Sequence, residues 1–372
     1  MKQIGTRLGA VLLILAALAA CKAKEDAFYV AFAEPLTGDL AQYGEYAYNG
    51  IMIKIDEVNA AGGINGRKII VEQFDDKGEA KEAANLAQRL SDDKKYICVF
   101  GGYNSPCALA GAPIYERNKM VQFAPTAGHM DLPNYEYTFV QALGASLEFQ
   151  LFSKIAVQQL QGKKIALIYI NNDNGLEVLQ ALTKWVPEYG SELVISDTYN
   201  EGQVRDFTAM LTRIRNANPD LICVHSSYGD AAAMLIQAKQ VGLGDTRFMF
   251  ATPMYSNDFV KAAGAAAEGA YVVATFSALD PNPAIQKFSN AFKERTGGKE
   301  PNQFCQQPYE QAGMLVKALQ EGATDRESLY RILMSWKRWE GETYSANLVN
   351  RRPQRDTLTL LVVKNGTWAY AD

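Results

Sequence analysis

The sequence has few of the residues on which many catalytic and nucleic-acid-binding sites depend. Only two histidines, His129 and His225, occur among 372 residues, and they lie far apart in the sequence. Lysine and arginine (37) are outnumbered by aspartate and glutamate (41), so the net charge is −4. A nucleic-acid-binding domain needs a surplus of basic residues, and histidine is a common metal ligand and proton carrier. Both kinds of function are therefore disfavoured.

Motifs of the common enzyme classes are also missing. Neither a phosphate loop nor a dinucleotide-binding Gly-x-Gly-x-x-Gly is present, because the nearest matches, at 297–300 and 242–247, lack the full pattern. No Gly-x-Ser-x-Gly nucleophile turn occurs. Residues 171–175 lack the distal acidic ligand of a calcium loop, and we interpret them as a turn between a strand and a helix. We expect no enzymatic activity, no metal and no cofactor.

Long apolar runs are absent except near the amino terminus. The run Leu8–Ala20 spans 13 residues and follows the basic residues Lys2 and Arg7. It is too short to cross a bilayer, which takes about 20 residues, but it suits the core of a signal peptide.

The end of this run resembles the lipobox of bacterial lipoproteins, in the order Leu18-Ala19-Ala20-Cys21. The resemblance implies cleavage before Cys21, acylation of that cysteine and retention at a membrane surface. An ordinary secretory signal is the alternative. We therefore predict a lipoprotein signal peptide over 1–20 and a tether over 21–26.

Four further cysteines are Cys98, Cys107, Cys223 and Cys305. Cys98 and Cys223 lie inside strand-like apolar runs, where a cysteine behaves as a small hydrophobic residue. Buried free thiols are therefore favoured. Export permits disulfides, and a bridge between Cys98 and Cys107, the only pair close in sequence, is the alternative.

Short apolar runs alternate with amphipathic helical segments along most of the chain. Several runs are apolar on both faces, as in parallel sheets covered by helices on both sides. This pattern predicts open α/β sheets with right-handed crossovers. The predicted strands are Phe28–Ala33, Lys68–Phe74, Tyr96–Gly101, Val121–Ala124, Lys164–Ile170, Leu193–Thr198, Leu221–His225, Phe248–Ala251 and Ala270–Ala274.

The alternation forms two blocks, 27–142 and 143–274, and each is long enough for one doubly wound lobe. The remaining tail is different, because its helices come first and its strands last. The predicted tail helices are Asn282–Thr296, Tyr309–Leu319 and Arg326–Trp336, the tail strands are Leu358–Lys364 and Thr367–Ala371, and the loops are Ala262–Gly269 and Asp280–Pro283.

Ligands of open α/β sheets bind beyond the carboxyl ends of the strands, where helix N-termini present free N–H groups. Four junctions of this kind contain suitable groups. Ser105 with Pro106 fits a helix cap, and the same hydroxyl is suited to holding a carboxylate. The segments 125–128, 226–230 and 35–44 add small residues, an aromatic residue with hydroxyls, and a long loop.

Several of these segments resemble one family. The sequences Pro35–Gly38, Ala41–Gly44, Asn59–Arg67 and Asp75-Asp76 are similar to the opening of the leucine/isoleucine/valine-binding proteins. These are the extracytoplasmic solute-binding components of branched-chain amino-acid ABC transporters. The resemblance implies a type I periplasmic-binding-protein fold, in which two Rossmann-like lobes joined by three crossings close on the ligand at a hinge.

The resemblance also accounts for the tail, whose helices would return to the first lobe and whose strands would join the second. The crossings are expected near Leu143, Ala274 and Asn347. The first lobe would then contain 27–142 plus 275–346, and the second 143–274 plus 347–372.

The resemblance carries roles for individual residues. Ser105 matches the serine that holds the ligand carboxylate, and Ala127 matches a backbone contact in the next loop, between Thr126 and Gly128. Tyr43 matches a tyrosine over the side-chain pocket, and Tyr228 matches a tyrosine from the second lobe. The expected ligand-binding residues are Tyr43, Tyr103, Ser105, Thr126, Ala127, Gly128, Asn174, Tyr228 and Thr252.

Three of these positions depart from the family pattern. Gly128 stands where threonine is usual, Asn174 where leucine-binding members have tyrosine, and Thr252 where they have the glutamate that pairs with the ligand ammonium. A buried ammonium without a carboxylate would be costly. Either another acid, Asp230, Asp258 or Asp173, replaces that glutamate, or the ligand is not an α-amino acid. Four tyrosines at 43, 103, 228 and 255 would suit a flat or aromatic acid.

The predicted function is capture of an amino acid or another small carboxylate between the lobes and delivery to an ABC permease. The expected location is extracytoplasmic, on a bacterial membrane through lipid on Cys21, with no nucleic-acid partner. A ligand sensor of the same fold, which reports to a receptor or regulator, is the alternative.

Overall fold

The computed structural model describes residues 27–371, so the predicted signal peptide and the whole predicted tether, including Cys21, lie outside this range. The strands are β1 Phe28–Glu34, β2 Ile69–Asp75, β3 Tyr96–Gly101, β4 Val121–Ala124, β5 Thr138–Val140, β6 Lys164–Ile170, β7 Glu192–Tyr199, β8 Leu221–His225, β9 Arg247–Phe250, β10 Tyr271–Ala274, β11 Arg338–Glu340, β12 Ser345–Val349, β13 Arg352–Gln354, β14 Thr359–Lys364 and β15 Thr367–Tyr370. The α-helices are α1 Ala41–Ala60, α2 Ala80–Asp92, α3 Ser105–Arg117, α4 Ala145–Lys154, α5 Asp173–Glu188, α6 Thr208–Asn216, α7 Tyr228–Gln240, α8 Asn257–Ala263, α9 Pro283–Thr296, α10 Gln303–Gln320 and α11 Arg326–Ser335.

The first sheet has five strands in the order β2-β1-β3-β4-β5, all parallel. Its central strand β3 is buried at every residue, because helices cover both faces of the sheet. We call this sheet and the helices packed on it the first lobe. The predicted parallel α/β arrangement is confirmed here.

The second sheet has seven strands in the order β15-β14-β10-β9-β8-β6-β7. Strands β6 to β10 are parallel, whereas β14 pairs antiparallel with β10, and β15 antiparallel with β14. The two tail strands therefore join the second sheet, as predicted. This sheet and its helices form the second lobe.

The helices of the tail return to the first lobe. Leu315 and Leu333 share a core with Ile51 and Phe100. Helices α1 and α10 approach so closely that a Cβ on Gly50 would lie 2.1 Å from the carbonyl oxygen of Cys305. Glycine is therefore required at this crossing of the two helices. The exact residue limits predicted for the two lobes remain predictions.

Several segments differ from the predicted elements. Strands β11, β12 and β13 form an additional antiparallel sheet that we did not predict. Helix α10 begins six residues before the predicted start, because the side chain of Asn302 accepts a hydrogen bond from the N–H of Phe304. The predicted loop Ala262–Gly269 is wrong, since α8 continues to Ala263 and a short 3₁₀ turn follows. Alanine's high helix propensity explains that continuation.

The cysteines of the described region are all buried and free. Burial raises the pKa of the thiols of Cys98, Cys107, Cys223 and Cys305, so they are protonated at neutral pH. The structure therefore supports the free thiols that we favoured over a Cys98–Cys107 bridge. None of the helices within 27–371 combines the length and the apolar character needed to span a bilayer.

Candidate functional site

The carboxyl edge of the first sheet presents an unused hydroxyl. Asn104, and not Ser105, caps helix α3, because its Oδ1 accepts a hydrogen bond from the N–H of Cys107 at 2.8 Å. The prediction that Ser105 is the cap is therefore wrong. An asparagine in extended conformation caps as well as a serine, and it precedes Ser105 in the chain. The half-buried Ser105 hydroxyl makes no hydrogen bond to another residue of 27–371.

The loop after β4 is held close to Ser105 by a hydrogen bond to the preceding segment. Thr126 Oγ1 donates to the carbonyl oxygen of Tyr103 at 2.7 Å, which ties the loop to the segment that precedes Ser105. Ala127 is buried, and the carbonyl of Gly128 accepts a hydrogen bond from the N–H of Ala145 at 3.3 Å. The loop therefore contacts the first residue of helix α4, in the second lobe.

The absence of a side chain at Gly128 has a steric reason. A Cβ at this position would lie 3.2 Å from the carbonyl oxygen of Leu143. A threonine here would therefore require the crossing segment at Leu143 to shift.

Aromatic side chains form one wall of the gap between the lobes. The rings of Tyr43 and Tyr103 stack with centroids 4.5 Å apart, and Phe304 packs edge-on against Tyr43 at 4.8 Å. Burial raises the pKa of Tyr43 to about 12, so its phenol is neutral at physiological pH. We did not predict Phe304, because it lies at the start of α10, more than 200 residues from the motifs that carry the resemblance.

A small cavity between the lobes separates this wall from Tyr228. It measures about 20 Å³, enough for about one water molecule. Both lobes contribute to its lining, which consists of Gln42, Tyr43, Tyr46, Tyr228, Pro253, Ser256, Asp258, Asn302 and Phe304. The structure thus brings the predicted residues Tyr43 and Tyr228 to opposite sides of one gap.

A larger cavity of about 530 Å³ adjoins it and is also lined from both lobes. Gln42 and Tyr46 of the first lobe face Ser256 and Trp368 of the second. Tyr255, predicted as a possible pocket residue, lines this cavity, and its hydroxyl accepts a hydrogen bond from the N–H of Ala278 at 3.3 Å.

Thr252 forms a hydrogen bond between the lobes. It also bonds Glu148, an acid that we did not predict as a site residue. Its hydroxyl donates to Glu148 Oε1 at 2.8 Å, and its carbonyl oxygen accepts from Gln303 Nε2 at 2.8 Å. Glu148 lies on α4 and Gln303 on α10. Burial raises the pKa of Glu148, and only the hydrogen bond from Thr252 opposes that effect. Neither side chain belongs to a recognisable motif, so neither could be predicted from the sequence.

Asn174 makes its hydrogen bond away from the other predicted site residues. Its Nδ2 donates to Glu177 Oε2 at 3.5 Å, on the next turn of α5. Burial raises the pKa of Glu177. The neighbouring side chains of His129 and Arg352 oppose this effect but do not cancel it. Arg352 in turn donates to the carbonyl oxygen of His129 at 2.9 Å. This polar group lies next to the loop that contains Gly128.

The three acids considered as replacements at position 252 have different surroundings. Asp173 is exposed, and Asp258 is exposed and lies 3.7 Å from Lys261. Asp230 is buried, and its Oδ2 has no hydrogen-bond partner. No group of three metal-binding side chains occurs within residues 27–371.

A buried pair of acids lies at the same edge as Ser105. Both side-chain oxygens of Glu34 lack a hydrogen-bond partner, as does Oδ2 of Asp76, and both residues are at most 1% exposed. Burial raises the pKa of Glu34 far above its usual range, and the charge of Asp76 adds to the effect. The pKa of Asp76 is raised, mainly by burial, to about 6. We did not predict this pair as a unit.

The chain resembles proteins of known function over most of its length. It is 26% identical over 324 residues to the leucine-, isoleucine-, valine-, threonine- and alanine-binding protein of Pseudomonas aeruginosa, covering 86% of this chain and 85% of that protein. It is 25% identical to the branched-chain amino acid transporter substrate binding protein LivJ of Streptococcus pneumoniae, solved with isoleucine, with a TM-score of 0.84 over 92% of this chain and 97% of the other.

A third protein shares the fold at lower identity. The solute binding protein of an ABC transporter from Rhodopseudomonas palustris, solved with 3,4-dihydroxybenzoic acid, is 23% identical, with a TM-score of 0.82 over 92% of this chain and 95% of the other.

The family assignment follows from a match along the chain. Residues 27–357 match the family described as periplasmic binding protein. The predicted resemblance to leucine/isoleucine/valine-binding proteins and the predicted type I fold are thereby confirmed. The chain belongs to the periplasmic binding protein family, whose members bind solutes and do not transform them.

Proposed function

We propose that this protein is the solute-binding component of an ABC importer and binds an amino acid or another small carboxylate between its lobes. The observation that carries the proposal is the free hydroxyl of Ser105 near the loop 126–128 and near the stacked rings of Tyr43 and Tyr103. A hydroxyl and backbone amides at a helix N-terminus suit a carboxylate, and neutral aromatic rings suit an apolar side chain.

The proposed ligand contacts are the nine predicted residues. Ser105 and the loop Thr126–Gly128 would hold the carboxylate. Tyr43, Tyr103 and Tyr228 would enclose the side chain. Thr252 would contact the ligand from the second lobe, and Asn174 would lie at the edge.

Movement of the lobes is part of the proposal. The cavity between Tyr43 and Tyr228 has room for about one water molecule, so a ligand bound between these two side chains requires the lobes to separate. The three crossings of the chain would act as the hinge. Small-angle X-ray scattering should therefore report a larger radius of gyration without ligand than with saturating ligand.

Two similar proteins support amino acids as the ligand class. The Pseudomonas relative is named for binding leucine, isoleucine, valine, threonine and alanine, and the Streptococcus protein was solved with isoleucine. Calorimetry with the twenty amino acids and with a panel of amine-free acids tests the proposal. The second panel contains 3,4-dihydroxybenzoate, benzoate, 4-methylpentanoate, 3-phenylpropanoate and succinate. We expect at least one compound to bind more tightly than millimolar, and no binding in either panel would contradict the proposal.

The cellular role extends the same proposal. We place the protein outside the cytoplasm, anchored through lipid on Cys21 after removal of residues 1–20. Mass spectrometry of the membrane fraction should find a diacylated or triacylated Cys21 at the mature amino terminus, and a serine at position 21 should release the protein. Cross-linking in cells should capture an ABC permease, whereas capture of a receptor or regulator would favour the sensor role.

A further inference from the structure

Glu148 is a half-buried acidic side chain next to the contact that Thr252 and Gln303 make between the lobes, and it has no basic partner. Its only hydrogen bond comes from Thr252 Oγ1, and no lysine, arginine or histidine within 27–371 forms an ion pair with it. An ionised carboxylate in so enclosed a place is costly unless a cation compensates it. The protein itself supplies no such cation.

The position of Glu148 is fixed by the loop proposed to hold the ligand carboxylate. The N–H of Ala145, the first residue of α4, donates to the carbonyl oxygen of Gly128. Glu148 follows one turn later, with its own N–H bonded to the carbonyl oxygen of Gly144 at 2.9 Å. One turn of an α-helix rises about 5.4 Å. The Glu148 carboxyl group therefore belongs to the same small region as the Gly128 loop.

Thr252 completes a pair of hydrogen-bond acceptors. Because its hydroxyl proton is donated to Glu148 Oε1, the lone pairs of Thr252 Oγ1 stay available to a donor in the gap. Its carbonyl oxygen is already engaged by Gln303. Glu148 and Thr252 together thus offer a carboxylate and a hydroxyl oxygen to a cationic group with several N–H donors.

We infer that Glu148 accepts the ammonium group of the ligand, with Thr252 as the second acceptor, so that the site selects amino acids over amine-free carboxylates. The inference rests on the proposed function and specifies its ligand class. An acid without an amine would place its own charge near an uncompensated Glu148 carboxylate, whereas an amino acid brings the missing cation.

Other acids near the gap are less suited to this role. Asp258 is exposed and close to Lys261, and Asp173 is exposed. Asp230 is buried, but it faces Tyr199 and Glu201 at the β7 edge of the second sheet, not the Gly128 loop. Asp230 is therefore the competing residue that the experiment must separate from Glu148.

The test compares each amino acid with its amine-free counterpart by calorimetry: leucine with 4-methylpentanoate and phenylalanine with 3-phenylpropanoate, together with the two panels above. The tightest amino acid should bind at least about 100-fold more tightly than its counterpart, as expected when a buried charge gains its partner. In Glu148→Gln this ratio should fall to about 10-fold or less, because the neutral amide no longer attracts the ammonium group.

Three variants control the result. Thr252→Val should weaken the binding of amino acids more than that of amine-free acids, because it removes the second acceptor for the ammonium group. Glu188→Gln, an exposed glutamate on α5 of the same lobe, should leave both affinities unchanged. Thermal unfolding of each variant checks that it is folded.

The outcomes separate the two ideas. If amine-free acids bind the wild type as tightly as amino acids do, or if Asp230→Asn and not Glu148→Gln removes the preference, the role of Glu148 is wrong while the carboxylate-binding function stands. If neither panel binds, both fail.

Discussion

Asn104 Oδ1 accepts a hydrogen bond from the N–H of Cys107, and Ser105 is thereby released from the capping of its own helix. Ser105→Ala should consequently weaken ligand binding by about 5- to 100-fold, the range for losing a hydrogen bond to a charged group. Its melting temperature should change little, because the cap is intact. Calorimetry with the tightest ligand and thermal unfolding measure the two effects.

The matched variant is Asn104→Ala, which removes the cap and leaves the serine. It should cost about 1 kcal/mol of stability. The opposite pattern, a stable Asn104→Ala protein and an unstable Ser105→Ala protein with full affinity, would show that the serine is structural.

The buried acids Glu34 and Asp76 make stability depend on pH. Their pKa values are raised in the folded protein, so the native state retains protons that the unfolded chain releases. This stabilisation is complete below the ordinary carboxyl pKa of about 4 and is lost as the pH rises through the folded-state pKa values, which are about 6 for Asp76 and well above the ordinary range for Glu34. Urea unfolding should therefore show falling stability between pH 4 and pH 8 from this pair.

Glu34→Gln should flatten that decline, because it removes the acid with two unpartnered oxygens. Between pH 5 and pH 8, the free energy of unfolding of the variant should fall by about 1–3 kcal/mol less than that of the wild type. Asp39→Asn, an exposed acid in the loop after β1, is the control and should preserve the wild-type profile. Parallel profiles for Glu34→Gln and the wild type would contradict the assignment.

The close approach of α1 and α10 can be tested at Gly50. Gly50→Ala forces a Cβ to within 2.1 Å of the Cys305 carbonyl oxygen, so one of the helices must move. It should destabilise the protein by about 1–3 kcal/mol or more in urea unfolding. Gly229→Ala is the comparison, since it is also helical but has no atom within 4 Å of the new Cβ. Helix propensity should then stabilise this second variant by up to about 1 kcal/mol.

A hydrogen bond between the lobes links Gln303 to Thr252. Gln303→Ala removes the donor to the Thr252 carbonyl oxygen, so the open arrangement should become more populated. Ligand affinity should fall by about 2- to 10-fold, and the radius of gyration of the ligand-free protein should increase. Gln320→Ala, at the exposed end of the same helix, should change neither quantity. If Gln303→Ala changes neither the radius of gyration nor the ligand affinity, this hydrogen bond does not help to hold the lobes together.

Much of the fold could be predicted because most of its parallel strands have four or more residues and several of them are apolar on both faces. β5 escaped prediction because it has only three residues. Strands β11 to β13 escaped because they are short and contain arginine, glutamate and asparagine. The start of α10 was hidden by Pro308, which usually interrupts a helix.

The site was predictable where a local motif carried it. Ser105 and Tyr43 lie in segments whose residue order is informative. Glu148 lies on α4, whereas Gln303 and Phe304 are neighbours at the start of α10, and these two distant segments meet only after the chain has crossed between the lobes. A single sequence does not reveal which distant segments come into contact. In the sequence, Glu148 cannot be told from other acids on amphipathic helices.

The contact between Gly50 and Cys305 also has a consequence for how the chain is made. Strands β6 to β10 of the second sheet are contiguous, within residues 164–274, and can assemble without the tail of the chain. The face of the first sheet that α10 covers stays exposed until residue 320 has been synthesised. Contacts so distant in sequence form slowly. Until the tail helices arrive, the apolar face of the first sheet should therefore be the part of the unfinished chain that holdase chaperones bind. The second lobe should already have a core at that stage.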